Sequence, residues 1–428
     1  MLIRTAFHIF SVILVFVLLA AIAQEVRAQT LTTLYTFTGW ADGYAPQSNL
    51  VFDAQGNLYG TTKFGGVVLP CPAGGHGACG NNVPLGEGTV FKVTPNGGEA
   101  VLHRFHFLQI HGVASPPTTY SNDGAFPEAG LVFDAQGNLY GTTLLGGDYD
   151  SGVVFKLTPN GTETLLYTFT GGADGGRPDV GLVFDAQGNL YGTTYQGGAY
   201  GGGTAFKLTP SGTETVLYNF TGGADGWGPM GALLLDGQGN LYGTTYEGGG
   251  SCTGGPCGAV FEVAPNGAET TLHTFTGYPN DGASPAAGLA FDAQGNIYGT
   301  TVFGGAYQCS GYAAGCGTVF KISPNGTETV LYNFDEGCGA YPFSNIVFDA
   351  QGNLYGTTSA GGADDDGTIF ELTPGGAETV PYSFTGAADG AAPGAGLVFD
   401  AQGNLYGTTG GSPIFYNYNP GTVFKFTP

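Results

Sequence analysis

The stretch DAQGNLYGTT at residues 53–62 constrains this chain more than any other feature, because the chain returns to it six more times. Its Gly-Asn pair recurs at Gly56, Gly137, Gly188, Gly239, Gly295, Gly352 and Gly403, followed each time by Leu-Tyr-Gly-Thr-Thr apart from Ile297 in the fifth copy. The steps are 81, 51, 51, 56, 57 and 51 residues. Units of this length with turn residues at fixed places mark a propeller or a solenoid, where each unit buries its apolar faces against its neighbours.

One unit, residues 181–226, reads as four strands. GLVFD is a short apolar run, and DAQGN is a turn with Asp to open it and Gly-Asn for positive φ. NLYGTT is rich in aromatic and β-branched residues. A Gly-rich loop leads to GTAFKLTP, then the tight turn PSGTE, then ETVLYNFTG. Helical periodicity is absent. The strands LVF and LYG do not alternate apolar with polar, which predicts burial on both faces, as in a blade held between two blades. A β-solenoid has shorter coils.

The two ends of the chain complement each other. The seventh unit runs to GTVFKFTP, residues 421–428, without a fourth strand, and LTTLYTFTG, residues 31–39, matches the missing piece. The expected fold is therefore all-β: a seven-bladed propeller of four-stranded antiparallel blades, with an N-terminal strand closing the last blade and removing its open edge. Before that strand, Arg4, an apolar run from Ser11 to Ala23 and Val26-Arg27-Ala28 form a secretory signal, expected to end at Ala28. Residues 29–428 are read as one domain with no membrane span once the signal is cleaved.

The unit D-A-Q-G-N-L-Y-G-T-T…G-T-V-F-K-L-T-P-N-G-T-E-T-V-L-Y-x-F-T-G resembles the GloVer-type tandem repeat of exported bacterial proteins. The resemblance covers nearly all of the mature chain. It implies export and a repeat fold, with no particular chemistry. A secreted, periplasmic or cell-surface location is the expectation. The Asp-x-x-Gly-Asn-Leu-Tyr turn also resembles that of NHL-type and lactonase-like propellers.

Export bears on the seven cysteines. Cys71/Cys79, Cys252/Cys257 and Cys309/Cys316 fall as close pairs, each inside one loop, and predict three local disulfides with Cys338 left over. No C-x-x-C occurs, so a zinc framework is not expected. The net charge of −23, from 33 acidic and 10 basic residues, repels phosphate backbones and excludes nucleic acid as a partner.

Comparing the units with one another separates scaffold from decoration. The loop between second and third strands has 25 residues in the first unit (63–87), 12 in the fourth, 15 in the fifth, 11 in the seventh and 8 elsewhere. The crossover between units is longest at residues 106–126. Alternate connections of a meander emerge at one end, so the insertions, the cysteine pairs and both tryptophans should share one face, the natural place for binding.

The crossover motif D-G-x-x-P, with Asp42, Asp123, Asp174, Asp225, Asp281 and Asp389 and a departure at Cys338, reads as a capped turn. Beyond it the units disagree: Gln47, Glu128, Asp179, Met230, Ala286, Phe343 and Gly394. Glu128 and Asp179 are equivalent acids on adjacent blades, and Arg177 is expected to neutralise both. The exposed-aromatic candidates are Trp40, Tyr44, Trp227 and Tyr341. His103 and His273 take a tyrosine position and read as packing.

No nucleophile signature is recognisable, and the units are nearly interchangeable, whereas chemistry needs groups of unequal role. The function expected is therefore that of a non-catalytic, monomeric propeller that binds glycan or protein through its loop-rich face, with ligand residues Trp40, Tyr44, Glu128, Arg177, Asp179, Trp227 and Tyr341 and no cofactor. Two alternatives stand beside it: a metal-dependent lyase or lactone hydrolase using Glu128 and Asp179, and a structural cell-surface repeat.

Overall fold

The turn that opens each repeat is organised by one carboxylate. Asp185 accepts hydrogen bonds from the backbone N–H groups of Gln187 (2.9 Å) and Asn189 (2.8 Å), from Asn189 Nδ2 (2.6 Å) and from the Tyr191 hydroxyl (3.1 Å). Gly188 turns the chain at φ +81°. Burial alone would raise the Asp185 pKa, but these bonds hold it below the usual carboxylate value. The aspartate is fully engaged by its own turn.

The strands that follow are those expected, in a computed structural model that describes residues 29–66, 86–106, 121–250, 252, 257–309, 314–410 and 420–428. The signal segment 1–28 lies outside them. In the third unit Val183–Phe184, Leu190–Thr194, Thr204–Leu208 and Glu214–Asn219 pair antiparallel in sequence order. Gly192 sits opposite Phe206, and a Cβ there would lie 2.8 Å from the Phe206 ring and 2.9 Å from Leu182. The glycine of Tyr-Gly-Thr-Thr is thus dictated by a phenyl ring lying across the strand.

Seven such sheets form, the fourth extended by Trp227–Pro229 along Leu241–Glu247. The second and third strands are buried on both faces, and the fourth is half exposed. The core is divided into seven apolar clusters, one per seam between adjacent blades. Each seam carries a phenylalanine pair, such as Phe220 against Phe261 with centroids 4.8 Å apart. No helix occurs among the described residues, and so none is long and apolar enough to cross a membrane.

The ring closes as expected. Thr30–Thr36 runs antiparallel to Thr422–Thr427, with Thr30 opposite Thr427 and Thr36 opposite Thr422. The seam between blades 7 and 1 has its own cluster, containing Phe37, Phe91 and Val423. Cys252–Cys257 and Cys309–Cys316 are disulfide-bonded within their loops, and Cys338 is free. Cys71 and Cys79 lie outside the described residues.

Candidate functional site

The D-G-x-x-P crossover brings one residue per blade to the axis. Asp225 fixes the turn, accepting from the Tyr218 hydroxyl (2.9 Å), Thr221 N–H (2.7 Å) and Thr221 hydroxyl (2.6 Å). The residue before each proline then takes a left-handed conformation: Ala45, Phe126, Arg177, Gly228, Ser284, Tyr341 and Ala392 have φ between +51° and +64°. For six non-glycine residues this is costly backbone, kept only where the surroundings over-determine it. At Arg177 they do: its N–H donates to Ser151 O (2.8 Å), and its own carbonyl accepts from Tyr195 N–H (2.9 Å). The proline packs on the preceding blade, where a Cβ on Gly152 would meet Pro178 Cδ at 2.5 Å.

The next residue in each unit points inward. Gln47, Glu128, Asp179, Met230, Ala286, Phe343 and Gly394 together form the wall of one axial cavity of about 360 Å³. Below them the small residues expected at the start of the inner strands meet those of the adjacent blades around the axis. Asn49 Oδ1 accepts from Gly396 N–H (2.6 Å) and Asn345 Oδ1 from Gly288 N–H (2.7 Å). These two asparagines narrow the floor between the glycines and Ala232. A second cavity of about 330 Å³ shares Asp179, Met230 and Phe343 with the first and adds Leu144, Arg177, Tyr195 and Tyr246.

Charge is confined to one sector of the wall. Lys63 Nζ lies 2.7 Å from Glu128 Oε1. Asp179 sits in the same sector. Burial in the narrow cavity, with Glu128 nearby, pushes its pKa well up, and Lys63 and Arg177 offset this in part. Met230, beside Asp179, and Phe343 add apolar surface to the wall, the latter 38% exposed.

Several expected site residues lie elsewhere. Arg177 does not neutralise both acids: its side chain is exposed, it lines only the second cavity with Asp179, and the cation on Glu128 is Lys63. Lys63 follows Tyr-Gly-Thr-Thr, a repeat position outside the crossover. Trp227 is half-buried as a cover, its ring lying over Gly201 and Gly222, where Cβ atoms would come within 3.3 and 3.1 Å. Trp40 is 45% exposed, away from the cavity wall. Tyr44 and Tyr341 cap blade ends, beside Phe64 (6.2 Å) and Phe303 (5.8 Å).

The histidines do more than pack. The fold brings His103 to Asp123 and Glu163, and His273 to Asp281 and Glu328, each trio with ligand atoms within 4.8 Å of one another. The glutamates come from the outer strand of the following blade, so no local spacing reveals them.

The Gloeobacter/Verrucomicrobia repeat model matches residues 75–312 and 308–428, most of the ring. The chain belongs to the Gloeobacter/Verrucomicrobia repeat family. In this member the family's repeated residues supply the turns and seams, and the cavity wall is made of the positions that depart from them.

Among curated proteins, none matches this family member. Among solved structures, it is similar to the extracellular domain assigned to a hybrid two-component system of B. thetaiotaomicron, with 12% identity, TM-score 0.53, and coverage of 94% of this chain and 41% of that one. It is also similar to the extracellular domain assigned to a one-component system of the same organism, with 9% identity, TM-score 0.56, and coverage of 93% and 40%. The chain therefore spans about two-fifths of the length of those relatives. A gluconolactonase from Xanthomonas campestris matches more loosely, with 17% identity, TM-score 0.41, and coverage of 80% and 90%. These likenesses concern the fold.

Proposed function

We propose that this protein is an exported, non-catalytic propeller that binds a carbohydrate in the axial cavity on its insert-bearing face. One observation carries the reading. In a chain whose units are nearly interchangeable, one ring position differs in every blade, and its seven residues wall a single cavity of about 360 Å³. That volume falls within the range of small-molecule pockets, roughly 300–1,000 Å³. Glu128, Asp179, Gln47 and Lys63 offer acceptors and donors for hydroxyl groups, and the exposed Phe343 ring offers an apolar face for the C–H side of a sugar.

The hydrolase reading keeps one supporting observation, an acid of raised pKa beside a second carboxylate. It is weaker as a metal site, because a dication at Glu128 would have to displace the Lys63 ammonium from its oxygen. A screen of oligosaccharides against the mature protein, with product analysis of each hit, tests both readings. The expected result is saturable binding with the sugar recovered intact. Phe343→Ala should lower affinity about tenfold or more, equivalent to about 1.4 kcal/mol. Turnover lost in Asp179→Asn would favour the hydrolase, and a screen without a hit would count against the carbohydrate.

A further inference from the structure

Each seam repeats a small polar arrangement at the outer edge of its blades. In most blades a tyrosine and a threonine of Tyr-x-Phe-Thr place their hydroxyls on the crossover aspartate, as Tyr218 and Thr221 do on Asp225. Blade 1 replaces both: the segment reads His103-Arg104-Phe105-His106. Two imidazoles therefore stand at Asp123, where two hydroxyls stand elsewhere. His106 Nδ1 is 2.7 Å from Asp123 Oδ2, and His103 Nε2 is 3.7 Å from the same oxygen.

Glu163, from the outer strand of blade 2, brings Oε1 to 3.8 Å from His103 Nε2. Both of those atoms are sealed from solvent, and neither has a hydrogen-bond partner among the described residues. Separations of 3.7 and 3.8 Å are too long for hydrogen bonds. They lie slightly beyond the about 3.3 Å between ligand atoms of a tetrahedral zinc ion with bonds near 2.0–2.1 Å. We propose that His103 Nε2, Asp123 Oδ2 and Glu163 Oε1, whose ligand atoms lie within 4.8 Å of one another, bind one divalent transition-metal ion of the zinc class across the seam between blades 1 and 2, with the exposed His106 ring supplying the fourth donor on turning from its hydrogen bond to Asp123 Oδ2 (2.7 Å).

The donor set selects the ion. Calcium takes six to eight oxygens and magnesium an octahedral shell, whereas two imidazoles and two carboxylates suit zinc, cobalt or nickel. The His106 ring is 76% exposed, so the site opens to solvent on that side. The ion would tie both ends of the longest crossover to the neighbouring blade.

The seam between blades 4 and 5 provides an internal contrast. It has His273, Asp281 and Glu328 but retains Thr276, and Asp281 Oδ2 already accepts from His273 Nε2 (3.1 Å), Thr276 N–H (2.9 Å) and the Thr276 hydroxyl (3.2 Å). It lacks the second imidazole: Asp123 Oδ2 is engaged too, but by His106 Nδ1, itself a metal donor, whereas Asp281 Oδ2 is held by Thr276, which is not. Zinc should not select it.

The test uses tag-free mature protein stripped with chelator and titrated with Zn²⁺ by calorimetry and with Co²⁺ by visible absorption. The expected result is one ion per chain and the d–d bands of four-coordinate cobalt. The His103→Tyr/His106→Thr double variant restores the residues of sibling blades and so should fold. It should lose affinity by more than the roughly 10–100-fold that removal of an outer-shell partner costs. His273→Tyr should bind as the parent does. Absence of saturable binding in the parent, binding that survives the double variant, or loss confined to His273→Tyr would each overturn the assignment.

Discussion

Truncating Phe37 to alanine should destabilise the protein as much as truncating any phenylalanine of an interior seam. Phe37 follows the N-terminal strand, is 1% exposed, and packs edge-on to Tyr35 (5.1 Å) and Phe91 (5.0 Å). Phe220 holds the equivalent place between blades 3 and 4, against Tyr218 (5.2 Å) and Phe261 (4.8 Å). Removing a fully buried phenyl costs about 3–5 kcal/mol in transfer and cavity terms. That is a large part of the roughly 5–15 kcal/mol that keeps a typical domain folded. If the ends of the chain did not meet, Phe37 would lie on an open edge and its loss would cost about 0.5 kcal/mol or less. Urea unfolding of both variants, followed by circular dichroism, compares them directly. Matched losses support closure. A Phe37→Ala loss below about half that of Phe220→Ala would refute the seam between blades 7 and 1.

Three further outcomes follow from the same geometry. Gly203 has φ +93° and a Cβ there would meet Thr194 O at 2.1 Å, so Gly203→Ala should lose more than about 1 kcal/mol, whereas Gly237, with open space where other units carry alanine, should gain about 0.4–1 kcal/mol as Gly237→Ala; thermal melts of the pair check both signs. Burial raises the Glu99 and Glu214 carboxyls to about 7, with Asp42 and Asp174 adding to it, so their protonated forms are favoured by folding. That contribution is present below the unfolded value near 4.3 and is lost as pH rises through about 7. The melting temperature should therefore fall between about pH 5 and about pH 8, and Glu99→Gln/Glu214→Gln should flatten the slope. Peptide mapping of oxidised protein should find Cys252–Cys257 and Cys309–Cys316 as local links and Cys338 as the alkylatable thiol, with slow alkylation because burial raises its pKa; a link between units would contradict the loop assignment.

The ring was legible because its instructions are local and repeated. Asp185, Gly188 and Tyr191 write the turn in their own spacing, and the strand at residues 31–38 resembles the outer strand that the seventh unit lacks. The cavity wall was legible for the opposite reason, as the position where the units disagree. Its charge pairing was not, because Lys63 reaches Glu128 across a seam from a different repeat position. The tryptophans differ because side-chain type says nothing of what lies beneath: the half-buried Trp227 covers two glycines, whereas Trp40 is 45% exposed. The histidine trios were hidden because Glu163 and Glu328 arrive from the next blade.

The most direct test of the functional reading is a crystal soaked with the best-bound sugar from the oligosaccharide screen. The account predicts density on the axis, with a ring face on Phe343 and hydroxyls within hydrogen-bond distance of Glu128 and Asp179. Sugar bound at the loop rim beside Trp40, with the axial cavity holding only solvent, would contradict it.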